Sequence, residues 1–92
     1  MANITIHAKI TGRVQGVGFR WWAQARAEAL GLSGWVRNDA TGSVSAEFHG
    51  PQRDVEAMVA ELWSGPGASA VADVQSHRVA EAPSFSGFGV IR

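Results

Sequence analysis

The chain has 92 residues, of which 46% are hydrophobic and 17% are charged, which suits one small domain (residues 1–92) with a two-layer core. Because it has no cysteine, disulfides, zinc–thiolate sites and cysteine nucleophiles are excluded, and we expect a reducing, cytoplasmic location. Eight basic and eight acidic side chains cancel, whereas nucleic-acid-binding proteins usually have a basic surplus. The sequence shows no signal peptide and no apolar run long enough to span a membrane, so no membrane partner is expected.

A glycine-rich loop separates the first predicted strand from the first predicted helix. Apolar and polar residues alternate over residues 3–11, which predicts a strand with one buried face. An apolar stripe over residues 19–30, followed by Gly31, predicts a helix and its end. The loop between them has the sequence Gly12-Arg13-Val14-Gln15-Gly16-Val17-Gly18-Phe19-Arg20. Glycines let backbone N–H groups face a ligand, and the helix N-terminus and Arg20 add positive charge, so the loop predicts a site for a phosphate-like anion.

The second half of the chain predicts three or four further strands and one helix. In chain order these are a strand at 33–38, a turn at 39–42, a strand at 43–49, a helix that Gly50-Pro51 opens with Pro51 at an early helical position, a break at 64–67, a weaker strand at 70–80, a break at Pro83 and a short strand at 85–91. The helix has an apolar stripe that we expect in the core, made of Val55, Met58, Val59, Leu62 and Trp63.

The order β-α-β-β-α-β, with a short C-terminal strand, matches the ferredoxin-like arrangement of α+β proteins. We therefore expect a mixed, largely antiparallel sheet of four to five strands with two helices on one face. The strands at 3–11 and 33–38 would be parallel, with the strand at 43–49 antiparallel between them. Since the two parallel strands would end at the same end of the sheet, Arg20 and Asn38 are expected to converge on one crevice.

The predicted crevice offers backbone donors, a guanidinium and a carboxamide, and it has no evident nucleophile, carboxylate pair or histidine. Asp39 is the one acid nearby, which is too few for a magnesium site. Arg20 suits bidentate binding of phosphate, and Asn38 can orient a water molecule. Because no group is at hand to protonate an alkoxide, the crevice favours a mixed carboxylic–phosphoric anhydride, whose carboxylate (conjugate-acid pKa of about 4) leaves unaided.

Two motifs resemble the signatures of the acylphosphatase family, and the resemblance extends over essentially the whole chain. The first motif is Gly12-x-Val14-Gln15-Gly16-Val17-Gly18-Phe19-Arg20. The second motif is Gly34-Trp35-Val36-Arg37-Asn38, followed by Gly42-x-Val44 and Gly50, and the run Leu30-Gly31-Leu32 joins the two. The chain departs from the family at His49, where Glu or Gln is common, and at Ala23, which is often Thr.

The resemblance implies an enzyme that hydrolyses small-molecule acyl phosphates to a carboxylate and inorganic phosphate, without a metal or another cofactor. It assigns Arg20 and Asn38 as the catalytic residues: Arg20 would bind the phosphate, and Asn38 would position the nucleophilic water, whose proton would pass to the substrate phosphate. The backbone amides of Gln15, Gly16, Val17, Gly18, Phe19 and Arg20 would form the rest of the phosphate-binding loop. We expect a monomer. Trp21 is either a rim contact or a second packing site, and we favour partial burial against a neighbouring loop. The position of Arg26 within the apolar stripe has no explanation in the sequence.

Two other functions fit parts of the sequence. A ferredoxin-like module that binds nucleic acid would present aromatic residues on the open face of its sheet, but the chain has no tyrosine and no net charge, so no nucleic-acid partner is expected. Domains similar to acylphosphatases also occur at the front of hydrogenase-maturation carbamoyltransferases, where they act on a carbamoyl phosphate-like substrate. The end of the sequence at Arg92 favours a protein that acts independently over such a domain.

Overall fold

Alternation of apolar and polar residues gives the first strand one face for the core and one for solvent. The computed structural model describes residues 2–81 and 86–91. Ile4, Ala8 and Ile10 are buried, whereas Lys9 on the opposite face is exposed. The elements in chain order are β1 (Asn3–Arg13), α1 (Phe19–Ala29), β2 (Ser33–Asn38), β3 (Val44–Pro51), α2 (Gln52–Leu62), β4 (Ala70–Val79) and β5 (Phe88–Val90). Within those residues no helix combines the length and apolar character that crossing a bilayer requires.

The five strands form one mixed sheet in the order β4-β1-β3-β2-β5. Strand β3 lies antiparallel between β1 and β2, so that Val44 pairs with Ile10 on one side and with Asn38 on the other. Strand β4 pairs antiparallel with β1, and β5 runs parallel to β2. As predicted, β1 and β2 are parallel, and the residues that follow them leave the sheet at the same end.

Both helices pack on one face of the sheet, which confirms the ferredoxin-like prediction. Helix α1 contacts β2 and β5, whereas α2 contacts β1 and β3. The buried core between these layers consists of Ile4, Ala8, Ile10, Val14, Phe19, Ala23, Ala27, Leu32, Val36, Val44, Ala46, Phe48, Val55, Met58, Leu62 and Phe88. Val14 and Phe19 belong to this core, so the glycine-rich loop is anchored at both of its ends.

The boundaries of the first two elements differ slightly from the prediction. Strand β1 extends two residues further, to Arg13, through a shift in its pairing with β4 next to Gly12. Helix α1 ends at Ala29 instead of residue 30. Gly31, in the left-handed conformation with φ of +70°, donates its N–H to the carbonyl of Glu28 and so closes the last turn.

Further along the chain, the bounds of β3 and of the last strand differ from those expected. Strand β3 runs over Val44–Pro51, so Pro51 precedes α2 and does not lie inside its first turn. The last strand is limited to Phe88–Val90. The expected break at Pro83 and the expected strand start at Phe85 lie outside the described residues.

The prediction that Trp63 lies in the core is wrong, because the residue is 51% exposed. Helix α2 ends at Leu62, and Trp63 is its C-terminal cap. At about 100° per residue, Trp63 falls about 80° from Val55 around the helix axis, at the edge of the buried stripe. Leu62 lies close to the centre of that stripe and is fully buried.

Candidate active site

A pocket of about 220 Å³ lies where the glycine-rich loop meets the end of β2. Its lining residues are Val14, Gly16, Gly18, Phe19, Arg20, Trp21 and Asn38. The parallel arrangement of β1 and β2 brings the loop after β1 and the last residue of β2 to the same end of the sheet. Arg20 and Asn38 therefore lie in one pocket, as the topology predicts.

Two glycines give the loop a conformation that other residues rarely adopt. Gly16 and Gly18 have φ values of +74° and +79°. A Cβ atom at either position would meet no atom within 4 Å, so the demand for glycine comes from the backbone conformation and not from crowding. The left-handed turn at Gly18 leads the chain directly into α1.

The N-terminus of α1 faces the pocket without a capping side chain. Gly18 is the N-cap, and the first turn contains no acidic residue. The first N–H groups of a helix have no acceptor within the helix, so those of Phe19, Arg20 and Trp21 are available to a ligand. The guanidinium of Arg20 forms no ion pair with any described acidic side chain. This end of the pocket therefore carries positive charge that suits a phosphate dianion.

The side chain of Asn38 supplies a polar group that the fold does not use. Its Oδ1 atom is buried and accepts no hydrogen bond from any described residue. A buried carbonyl oxygen without a partner costs about 1–3 kcal/mol, so such atoms are rare unless a ligand or water satisfies them. A carboxamide has a donor end and an acceptor end, and a half-turn of its last bond exchanges them. Asn38 can thus offer either end to a molecule in the pocket.

Gln15 connects the loop to the turn that follows β2. Its Nε2 group donates hydrogen bonds to the backbone carbonyls of Asp39 (2.8 Å) and Ser43 (2.9 Å). Sequence reasoning assigned Gln15 only a backbone contribution and missed this link, because no sequence pattern shows which carbonyls a side chain will reach. Neither Gln15 nor Val17 lines the pocket, and Val17 packs against the core instead.

Asp39 is held in a structural network. Its carboxylate accepts hydrogen bonds from the hydroxyls of Ser45 (2.6 Å) and Ser43 (2.8 Å) and from Nε of Arg37 (3.3 Å). Partial burial alone would raise the pKa of Asp39, but these hydrogen bonds and the charge of Arg37 hold it below its ordinary value of 3.8. Asp39 is therefore ionised at neutral pH and fully engaged, which makes it a poor proton acceptor.

The structure explains Arg26 and corrects the expectation for Trp21. Arg26 donates a hydrogen bond from Nε to Glu61 at 2.8 Å, so an ion pair links α1 to α2. Trp21 was expected to be partly buried against a loop, but it is 71% exposed at the rim of the pocket. Its neighbour Trp22 packs against Phe19, with ring centroids 5.4 Å apart.

The pocket can bind a dianion and orient a small polar molecule beside it. Within the described part of the chain, no three His, Asp or Glu side chains are grouped so as to hold a metal ion. The positive end, formed by Arg20 and the helix N-terminus, would bind and polarise a phosphoryl group. Asn38 would place a water molecule next to it, which is the arrangement that phosphoryl transfer to water requires.

Known proteins with similar sequences and structures identify the family. The acylphosphatase family model matches residues 6–90. An acylphosphatase of Rhizobium meliloti (strain 1021) is 49% identical over 84 residues, which span 91% of this chain and 88% of that protein. The structure of an acylphosphatase from Coxiella burnetii is 34% identical and covers 97% of this chain and 93% of its own, with a TM-score of 0.91. Full-length HypF, in its phosphate- and nucleotide-bound form, is 29% identical with a TM-score of 0.90, and the match covers 99% of this chain and 12% of HypF. On sequence and on fold alike, this chain belongs to the acylphosphatase family.

Proposed function

We propose that the pocket of Arg20 and Asn38 is the active site at which this enzyme hydrolyses acyl phosphates to a carboxylate and inorganic phosphate. One observation carries the proposal: a guanidinium, an uncapped helix N-terminus and an unpartnered carboxamide line the same pocket. Each of these groups has a task in the attack of water on a phosphoryl group, and none of them is used by the fold.

The phosphoryl group of the substrate binds between Arg20 and the amides of the loop. The planar guanidinium donates two parallel hydrogen bonds to phosphate oxygens and stays charged at any physiological pH. The N–H groups at the start of α1 add donors that are already oriented, so little reorganisation accompanies the build-up of charge on the phosphoryl oxygens. Arg20 and these amides together bind the substrate and stabilise the transition state.

Asn38 positions the water that attacks phosphorus. The water oxygen forms the new P–O bond while the bond between phosphorus and the acyl oxygen breaks, and its electron pair leaves with the carboxylate. One proton of the water passes to a phosphate oxygen, so the products are a carboxylate and dihydrogen phosphate. Because a carboxylate is a good leaving group, with a conjugate-acid pKa of about 4, the step needs no general acid.

The proposed site draws on side chains and amides of one chain, so we propose that the enzyme acts as a monomer. The described residues offer no clustered metal ligands, and we expect hydrolysis to be insensitive to EDTA. The absence of cysteine from the sequence is the ground for proposing the cytoplasm as its location.

The test compares two arginines of the same helix. Arg20→Gln removes the guanidinium from the pocket, and we expect kcat/KM for acetyl phosphate to fall by about 100- to 1,000-fold. Arg26→Gln removes an arginine that pairs with Glu61 outside the pocket, and we expect its activity to stay close to wild type. Hydrolysis is measured as phosphate release in the presence of EDTA, and circular dichroism checks that both variants are folded.

Full activity of the folded Arg20→Gln variant would overturn the assignment of Arg20. An equal loss of activity in both variants would show that the loss reflects a general effect on α1 and not the chemistry of the pocket. Loss of wild-type activity on addition of EDTA would contradict metal-independent hydrolysis.

A further inference from the structure

Trp21 is the most exposed of the large hydrophobic side chains in the described chain, and it stands beside the proposed phosphate site. Its exposure of 71% leaves most of the indole in solvent, although such a ring would gain free energy from burial. Trp22, the next residue, is used by the fold and packs against Phe19. The fold therefore gives no reason for an indole at position 21.

Trp21 lies at the N-terminal end of α1, which borders the pocket. It is the third residue of the helix, after Phe19 and Arg20. Helical side chains generally lean towards the helix N-terminus, which in α1 is the end that borders the pocket. Trp21 lines the same pocket as Arg20 and Asn38, and this gives the pocket a positively charged end and an apolar rim.

We propose that the indole of Trp21 binds the acyl group of the substrate, so that the enzyme prefers acyl phosphates whose acyl group is planar and apolar. The inference rests on the proposed function, because it takes the phosphoryl group to be bound by Arg20 and the loop amides. A substrate held there has its acyl group directed out of the polar end, towards the rim. An aromatic acyl group would stack on the indole, whereas an acetyl group is too small to cover it.

An exposed tryptophan alone would not support this conclusion, because isolated apolar residues are common on protein surfaces. Trp63 is such a residue: it is 51% exposed at the end of α2 and is not among the residues that line the pocket. The combination of exposure and a place at the pocket rim distinguishes Trp21. Trp63 therefore provides a matched control of the same residue type.

The test compares benzoyl phosphate with acetyl phosphate for the wild type and for Trp21→Ala, Trp21→Phe and Trp63→Ala. We expect Trp21→Ala to lower the ratio of the two kcat/KM values (benzoyl over acetyl) by about three- to tenfold, the range expected for a lost aromatic stacking contact. The loss should fall mainly on KM for benzoyl phosphate. Trp21→Phe keeps an aromatic ring and should retain most of the preference, and Trp63→Ala should retain all of it.

The inference is overturned if Trp21→Ala leaves the ratio unchanged, or lowers both kcat/KM values equally, while the wild type hydrolyses both substrates. An equal change in the ratio for Trp63→Ala would also overturn it. Failure of the proposed function gives a different result, since the wild type would then hydrolyse neither substrate or Arg20→Gln would be fully active. The inhibition constant of inorganic phosphate should stay the same in Trp21→Ala, because the indole is assigned to the acyl group alone.

Discussion

Asn38 and Asp39 are neighbours in the chain, but their side chains differ in hydrogen bonding within the described structure. The carboxylate of Asp39 accepts three hydrogen bonds, from Arg37, Ser43 and Ser45. The Oδ1 atom of Asn38 is buried and accepts none from the described residues. A polar group whose hydrogen bonds are made within the fold contributes to the structure, whereas a buried polar group without a partner is available to bind a ligand or a water molecule. The contrast indicates a structural role for Asp39 and supports the catalytic role proposed for Asn38.

Replacement of Asn38 should lower catalysis without lowering stability. Asn38→Ala removes an unsatisfied buried oxygen, so we expect the free energy of unfolding to be unchanged or slightly higher. The attacking water loses its partner, and kcat should fall by about 10- to 100-fold. The inhibition constant of inorganic phosphate should change little, since Arg20 still binds the anion. Enzyme kinetics and urea denaturation of the same preparation measure the three quantities.

Asn38→Asp has nearly the same size as the wild-type side chain but adds a negative charge, and it provides the control for Asn38→Ala. Asn38→Asp places a carboxylate beside the bound phosphate, so it should also raise the inhibition constant of phosphate through repulsion. If Asn38→Ala weakened phosphate binding as much as Asn38→Asp, the carboxamide would bind the anion and not the water.

The hydrogen bonds of Asp39 make stability depend on pH. Because folding lowers the pKa of Asp39, its contribution to stability is present above about pH 4 and is lost as the pH falls through the pKa of the folded state. Asp39→Asn should therefore be less stable than the wild type at pH 7, and the difference should shrink by pH 3. Denaturant unfolding at both pH values measures this change.

Asp73→Asn is a suitable control for Asp39, because Asp73 lies on β4 and none of the described side-chain hydrogen bonds involves it. A difference between wild type and Asp39→Asn that stays constant from pH 7 to pH 3 would refute the contribution assigned to the ionised carboxylate.

At the scale of elements, the loop and the start of α1 form one unit. Val14 and Phe19 bury the two ends of the loop, and the side chain of Gln15 ties it to the turn after β2. Gly16 and Gly18 provide the left-handed conformations in between. The direction of the N–H groups, and with it the shape of the proposed anion site, depends on this backbone path.

Because the backbone at Gly18 is left-handed, replacing this glycine should lower stability even though a Cβ atom there would meet no neighbouring atom within 4 Å. Gly18→Ala places a side chain at φ of +79°, and we expect the free energy of unfolding to fall by about 1–2 kcal/mol, together with a fall in kcat/KM as the loop relaxes. Gly18→Asn should be more stable than Gly18→Ala, because asparagine tolerates the left-handed conformation better. Thermal unfolding and acetyl phosphate hydrolysis measure both effects.

Gly67→Ala is the matched control, because Gly67 lacks a positive φ and also has open space around it. We expect its stability and activity to match the wild type. Equal stabilities of Gly18→Ala and Gly67→Ala would show that the left-handed turn is not required.

At the scale of the whole molecule, the sequence predicts the features that depend on hydrophobic periodicity and on the order of the helices and strands. Alternation and helical stripes predict each helix and strand found in residues 2–81 and 86–91, and the rules of chain crossover then place Arg20 and Asn38 at one end of the sheet. The same patterns do not predict the residue at which a helix ends or which distant groups a side chain contacts. Trp63 lies on an apolar stripe but beyond the end of its helix, and the bond acceptors of the Gln15 side chain lie 24 and 28 residues away.

The position of β3 between β1 and β2 has a consequence for folding kinetics. One half of the proposed site follows β1 and the other half ends β2, two strands that do not pair with each other. Strand β3 joins them through partners distant in sequence, such as Ile4 and Gly50. Strands whose residues lie far apart in sequence pair slowly, since the entropy of loop closure must be overcome first. The pocket is complete only when both edges of β3 are paired, so a refolding chain should regain activity in step with its slowest β-sheet phase, and partly folded forms should be inactive.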